Sequence, residues 1–446
     1  MKLAIPTLIA CLSVLQAITC DRGGTSLPGE QPPSPRPGSP TDPSAKTVSP
    51  ASPPGPRPAL DPESLARKAQ ELAHRFLIVD GHIDVPMRVS EAGQPGRQPI
   101  DISTATADGD FDVPRAQRGG LNAPFMSIYT PASYENNGAK KHADALIDLV
   151  RGWADKWPDT FALAPSPQAV RINFAAGKIS LPMGMENGAP LEGKLENIAY
   201  FHQRGIRYIT LAHSKDNHIS DSSYDDRHTH KGLSAFGKTV VAEMNRVGVM
   251  IDVSHISDDA FRHVMEITKT PVIASHSSCR HFTPGWERNM DDGMIQRLRD
   301  NGGVLQINFG SSFILERARV ARESAREEIG RLLAARQLDS DSDEADPIKE
   351  AYYKRHPRVF ATVEDVADHI DHAVGLASIE HVGLGSDFDG VGDSLPKGLK
   401  DVAAYPRLFA VLLSRGYSES DIEKLAGANA LRVWSEVEAH ARDNGS

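Results

Sequence analysis

From residue 61 onward, short runs of Val, Ile and Leu alternate with longer stretches whose apolar residues recur every three or four positions. The runs at 76–80, 122–129, 179–185, 207–211, 249–253, 271–274, 304–308 and 381–385 are mostly continuous rather than alternating, which is how strands covered on both faces read. Helical patterns fill most of the gaps: 63–75 behind Pro62, then 140–156, 191–204, 234–247, 258–268 and 294–301. Strand–helix alternation predicts a parallel α/β architecture, and eight strands predict a closed (β/α)8, TIM-like barrel with helical insertions. A doubly wound sheet is the alternative, but no Gly-x-Gly-x-x-Gly follows a strand. Two insertions break the pattern. Residues 214–233 are polar and rich in Asp, Ser and His; residues 312–358 form a charged helical excursion expected to cap one face of the barrel. No internal repeat is present.

The pattern of the first 60 residues is different. Lys2 precedes an apolar stretch over residues 3–19, too short for a comfortable membrane span, which reads as a secretory signal. It ends in Ala17-Ile18-Thr19-Cys20, resembling a bacterial lipoprotein site with Cys20 as the lipidated first residue; the pattern prefers Leu three residues earlier. Leu8-Ile9-Ala10-Cys11 fits locally but leaves too short an apolar region. An ordinary cleaved signal with Cys20 incidental is the alternative. Residues 21–60 hold 12 of the chain's 31 prolines, with many Ser and Gly, and cannot bury enough apolar surface to fold. The expected organisation is a signal peptide at 1–20, a Pro/Ser-rich linker at 21–60 and one barrel domain at 61–446. The linker would hold the domain off a membrane as a semi-rigid spacer, with the protein exported across the inner membrane to the periplasm or cell surface.

Charge and cysteine usage narrow the function. The net charge is -10 over 446 residues, and no Lys/Arg-rich run appears, which argues against a nucleic-acid partner. Cys279 is the one cysteine beyond residue 20, so no intramolecular disulfide is expected in the folded region.

The chemistry gathers at the carboxyl ends of the expected strands. His82 and Asp84 end the first, Glu186 the third, His213 the fourth, His255 the fifth, His276 the sixth, and Asp387 and Asp389 the eighth. In a strand, His-x-Asp puts both side chains on one face. Alone, each of these residues is more often a satisfied structural histidine or a helix cap. Together they lie where barrel enzymes build their active sites. Imidazoles and carboxylates suit Zn²⁺ or a similar cation. Their number exceeds one tetrahedral site and suits a metal pair sharing a carboxylate.

With these residues in view, the chain resembles the membrane dipeptidase (renal dipeptidase) family of zinc hydrolases, within the amidohydrolase-type barrels. The resemblance runs from about residue 76 to 432. It is carried by Asp80-Gly81-His82-x-Asp84, Gly184-x-Glu186, His213-Ser214, Ser254-His255, Ser275-His276-Ser277-Ser278, Arg288-Asn289 and Gly385-x-Asp387-Phe388-Asp389-Gly390. It implies two Zn²⁺: the first on His82 and Asp84, the second on His255 and His276, with Glu186 bridging. It also implies that His213 stabilises the oxyanion, that Arg288 binds the substrate's terminal carboxylate, and that Asp387 carries the proton to the leaving amine. The implied reaction is metal-hydroxide attack on the peptide bond of a dipeptide, a C-terminal D-residue being tolerated. Ile83, Val85 and Asn187 depart from the family's common residues, which touches the substrate pocket rather than a ligand. The disulfide-linked dimer of the mammalian enzymes cannot carry over; a homodimer without one stays open. The rivals are a related amidohydrolase acting on another amide, lactam or ester, and a membrane-tethered solute-binding protein. Asp225-Asp226-Arg227-His228-Thr229-His230 reads as an exposed loop, Cys279 as a structural thiol, and Asp252 as a residue orienting a neighbour or capping the barrel.

Overall fold

Ten short strands organise the chain: β1 (Ile78–Ile83), β2 (Leu121–Tyr129), β3 (Phe161–Leu163), β4 (Ile179–Leu181), β5 (Met183–Glu186), β6 (Ile206–Thr210), β7 (Met250–Asp252), β8 (Ile273–Ser277), β9 (Val304–Ile307) and β10 (Val382–Leu384). The computed structural model describes residues 61–444 apart from positions 96 and 341. The expected signal segment, linker and Cys20 anchor lie outside the described residues.

Eight strands close a parallel barrel in the order β1-β2-β5-β6-β7-β8-β9-β10, and β10 returns to β1 through the register Asp80↔Leu384. Each of the eight expected runs overlaps a barrel strand. Their residues are buried at nearly every position, consistent with helices outside and side chains filling the interior. The lower part of the barrel is plugged by the last helix (Asn429–Asn444), whose Leu431, Val433, Trp434 and Val437 share one apolar cluster with Val79, Phe125, Tyr208, Ile273 and Val304. Trp434 packs its ring 5.4 Å from Phe125.

Several boundaries differ from the sequence reading; the first strand ends at Ile83 rather than 80, and the sixth expected strand at Ser277 rather than 274. The run at 179–185 is two strands. Ile179–Leu181 pairs with Phe161–Leu163 in a separate two-stranded sheet, and Met183–Glu186 belongs to the barrel. Pro182 marks the break, because proline has no N–H for a ladder; its carbonyl still accepts from Met126 at 2.8 Å. The helix expected at 191–204 starts only at Glu196, after a 3₁₀ turn at Ala189–Leu191. The helix expected from 294 begins at Asp292, because the Asp291 carboxylate accepts from the Met294 N–H and caps it.

Helix capping places the loops. Ser257 caps Asp258–Ile267, Ser234 caps Ala235–Val247, and Thr362 with Asp365 forms a capping box on Val363–Ala377. The charged excursion folds as helices Ser311–Ile314, Glu316–Ala334 and Asp346–Arg355. It follows β9 at the carboxyl rim, so it covers the expected end of the barrel. No helix among the described residues is long and apolar enough to cross a membrane.

Candidate metal centre

Glu186, the last residue of β5, sits at the middle of a ring of imidazoles. Its Oε1 lies 3.1 Å from His255 Nε2, 3.3 Å from His276 Nε2 and 3.5 Å from His213 Nε2. Its Oε2 lies 3.5 Å from His82 Nε2, which is also 3.3 Å from Asp84 Oδ2. Potential ligand atoms of His82, Glu186 and His276, of Glu186, His213 and His255, and of His82, Asp84 and Asp387 fall within 4.8 Å of one another. The structure thus brings together every metal-ligating residue expected from the sequence, with His213 and Asp387 beside them. All are buried except His213, which is partly exposed.

Why the nitrogens converge follows from what holds the opposite ring edges. His82 Nδ1 lies 2.8 Å from the Tyr208 hydroxyl, which donates to the Gly81 carbonyl at 3.1 Å. Tyr208 therefore accepts from Nδ1–H, and the Nε2 lone pair faces Glu186. His276 Nδ1 lies 2.7 Å from Ser275 Oγ, which donates to Asp252 at 2.7 Å. That relay fixes His276 in the same tautomer. Asp252 is further held by Thr210 Oγ1 and the N–H groups of Ser254 and Ser275. Of the two roles considered from sequence, orienting a neighbour is the one the structure shows.

This donor set fits a cation. The Nε2 atoms of His255 and His276 are 2.7 Å apart, and Nε2 of His82 is buried without a hydrogen-bond partner. Lone pairs aimed at one another around a carboxylate are what ligation resolves. Burial, then Arg288 beside His255 and His82 beside His276, holds both imidazoles well below the usual histidine range. They are neutral and ready to bind a metal. Burial opposes charge on His82 too, yet Tyr208, Glu186 and Asp84 outweigh it and raise that ring well above its ordinary value, so a cation bound at Nε2 would displace a proton there. Glu186 resists burial because His82, His213 and the other imidazoles keep it ionised.

Asp387, just after β10, has its backbone in the left-handed region (φ 62); so have Asp389 (φ 65) and, after β7, His255 (φ 68). Such strained backbone clusters at functional sites. Asp387 Oδ2 accepts from Asn308 Nδ2 at 2.8 Å, and burial followed by the nearby Asp84 pushes its carboxyl up to about 7. Gly390 is required here: a Cβ would stand 2.2 Å from both Asp387 Oδ1 and Asp84 Oδ2. Asp389 faces away from the cluster, bonding Arg88 at 2.9 Å and the Asp110 N–H. Of the two aspartates ending the eighth expected strand, only Asp387 joins the ligand cluster, although both line the cavity.

Arg288 is 2% exposed and forms no ion pair with a carboxylate among the described residues. Its NH1 donates to Ser277 Oγ at 2.7 Å, and its NH2 donates to the His276 carbonyl at 2.9 Å and faces His255 Nε2 at 3.0 Å. Nε has no partner. It does not itself line the open cavity of about 760 Å³ above the cluster; its neighbours His255 and Phe313 do, with Asp84, Met87, Glu91, Tyr129, Glu186, His213, Trp286, Arg322 and Asp387.

The remaining sequence features keep structural roles. Asp225 grips the Arg227 guanidinium at 2.5–2.9 Å, and the Asp225–His230 loop forms no metal cluster among the described residues. Cys279 is buried with its thiol pushed far up by burial, which suits a structural residue.

A model of the membrane dipeptidase family, peptidase family M19, matches residues 66–446. Dipeptidase aclJ of Aspergillus oryzae is 32% identical over 401 residues, covering 86% of this chain and 85% of its own. Among solved structures, the probable dipeptidase PvdM of Pseudomonas aeruginosa has a TM-score of 0.72 at 27% identity, over 85% of this chain and all of that one. A metallopeptidase of Rhodobacter sphaeroides, solved with a phosphinate mimic of the dipeptide L-Ala-D-Ala, shares the fold at TM-score 0.64 and 23% identity, over 81% and 99%. A barrel whose rim gathers this ligand set, matched by the family over nearly all of its described length, is a metallopeptidase, and the chain belongs to the membrane dipeptidase family.

Proposed function

We propose that this enzyme hydrolyses the single peptide bond of dipeptides, including those with a C-terminal D-residue, using two zinc ions. One would be held by His82 and Asp84, the other by His255 and His276, with Glu186 serving both. Bound zinc would supply a water acidic enough to react at neutral pH and would polarise the substrate carbonyl. The carrying observation is the buried Arg288, a guanidinium with no carboxylate partner among the described residues, packed against His255. A buried guanidinium without a counter-charge is costly; Arg288 lies directly behind His255 and Phe313, which line the cavity, so a substrate's terminal carboxylate placed against them would supply the missing counter-charge. The cavity of about 760 Å³ has room for a dipeptide and is lined on one side by the cluster and on another by residues of the excursion helices such as Arg319 and Arg322.

The other residues divide the work. His213 opens onto the cavity with its Nδ1 unpartnered, beside His255 at a ring distance of 4.3 Å. It is placed to donate to the carbonyl oxygen as charge develops there. Asp387, oriented by Asn308, is placed to take a proton from the attacking water and pass it to the leaving nitrogen. The mimic of L-Ala-D-Ala bound by the Rhodobacter relative supports the D-residue reading.

Export and tethering belong to the same proposal. The apolar leader, Cys20 and the Pro-rich linker support a lipid-anchored enzyme outside the inner membrane, with residues 61–446 as the catalytic unit. A panel of L,L- and L,D-dipeptides assayed with and without chelator tests the activity. Activity lost with chelator and restored by Zn²⁺ supports it; a zinc-loaded enzyme inert to every dipeptide overturns it. Membrane partition of Cys20→Ala tests the anchor.

A further inference from the structure

The segment that carries Arg288 is a closed loop. It leaves β8 and returns at the helix Asp292–Asp300. Its neck is sealed by Arg280 N–H to the Met290 carbonyl at 2.8 Å, Met290 N–H to the Ser278 carbonyl at 2.9 Å, and the Cys279↔Met290 bridge. Inside, the Arg280 guanidinium holds the carbonyls of Asn289 at 2.7 Å and Glu287 at 3.1 Å. The loop is therefore a small rigid frame around Arg288.

His281 stands on its outgoing side and Asp292 on its return. Against them the helix Val363–Ala377 sets His372. His372 Nε2 lies 2.8 Å from Asp292 Oδ1, and the rings of His281 and His372 stack 4.4 Å apart at 23°. One potential ligand atom from each of the three falls within 4.8 Å of the others. We propose that His281, Asp292 and His372 form a divalent-cation site at the neck of the Arg288 loop, separate from the barrel-rim centre and suited to a borderline ion such as Zn²⁺.

The chemistry favours that ion class. Two imidazoles with one carboxylate is a set for zinc or another late first-row cation, whereas Ca²⁺ and Mg²⁺ want oxygen ligands. A simple ion pair between His372 and Asp292 accounts for two of the residues. It does not account for His281 bringing a third ligating atom from a different element into the same space. His281 and Asp292 are exposed and His372 is half-buried, so water can complete the coordination. None of the three lines the catalytic cavity. Bound there, an ion ties both ends of the loop to a helix packed on the barrel, and it stabilises the folded state by binding only that state.

The test is equilibrium dialysis of the purified enzyme over a range of free Zn²⁺, comparing wild type with His281→Ala, His372→Ala and Asp292→Asn. Wild type is expected to bind one more ion per chain than each variant. The Zn²⁺-dependent rise in Tm that accompanies this last ion should be lost with it. The variants should keep their dipeptide kcat, which marks the site as distinct from the rim. Glu186→Gln supplies the reciprocal control: it should lose rim metal and still bind the neck ion. Equal numbers of ions bound by wild type and the three neck variants overturns the proposal, as does a neck ion that disappears in Glu186→Gln.

Discussion

The Tyr208 hydroxyl lies 2.8 Å from Nδ1 of His82, deep in the barrel, and this contact decides which nitrogen of His82 faces Glu186. The same ring explains Gly184 in the Gly-x-Glu motif: a Cβ there would stand 1.9 Å from Tyr208 Cζ. Tyr208→Phe keeps the ring and removes the acceptor. Ligand-orienting partners of this kind are worth about 10–100-fold in metal affinity. The expected outcome is a comparable loss of affinity for the ion at His82 with the fold intact, read by chelator competition and circular dichroism. Unchanged affinity would show that Tyr208 only fills space.

Asp387 and Asn308 separate proton transfer from metal binding. Asp387→Asn removes the proton carrier, and a loss of about 10²–10⁴-fold in kcat is expected, the range for general acid–base catalysis. Asn308→Ala leaves the carboxylate but frees it, so a smaller loss in kcat with little change in KM is expected. Steady-state kinetics with metal content measured in parallel checks both. A loss of bound zinc equal to the loss of activity would reassign Asp387 to the ligand set.

Much of this centre could be read from the sequence because barrel geometry forces it. A strand covered on both faces appears as a continuous apolar run, and reactive side chains fall where the run stops. His82, Glu186, His213, His255, His276 and Asp387 were placed by that rule. Tyr208 and Asn308 were not, because both sit inside or just beyond apolar runs and look like barrel filling. Their roles arise only when the sheet closes, bringing Tyr208 of β6 across the barrel interior to His82 of β1 and the end of β9 beside the end of β10. The β3–β4 pair escaped for another reason: three-residue strands carry too little periodicity to separate from a neighbouring run, and only Pro182 hints at the break. Asp389 looked equivalent to Asp387 in sequence, yet a two-residue step through left-handed backbone turns it toward Arg88.

Arg288 sets a demand on the substrate that a dipeptide meets at one end. Arg288→Ala should lower kcat/KM by about 10²-fold or more, several kcal/mol of charge-assisted contact, while bound metal stays unchanged. Arg288→Lys should rescue only partly, since an ammonium lacks the planar fork. An amidated dipeptide should be a poor substrate for the wild type. Equal rates on free-acid and amidated dipeptides would remove the clamp and favour hydrolysis of another amide, lactam or ester.

His369 gives the fold an acid-sensitive joint away from the metal centre. It is fully buried on the helix Val363–Ala377, its Nε2 bonded to the Ile314 carbonyl at 2.9 Å and its Nδ1 accepting from the Cys279 N–H at 3.1 Å. Both contacts use the neutral ring, and a proton on Nδ1 would break the second. Burial lowers its pKa to about 4 from the ordinary 6.5. The unfolded chain therefore binds more protons than the folded one between these values, so stability is complete above about pH 6.5 and falls as pH drops toward 4. The full effect is about 3 kcal/mol, taking 1.36 kcal/mol for each pKa unit. His202, also lowered to about 4 by burial and then Arg207, adds to the same trend. Urea unfolding of the metal-stripped protein at pH 7, 6, 5 and 4 measures it without interference from ligand protonation. His369→Gln, which can still donate and accept, should flatten part of the decline while lowering stability at pH 7. A variant that loses stability with pH as steeply as wild type would show that His369 stays neutral in the unfolded chain as well, or is already protonated in the folded one.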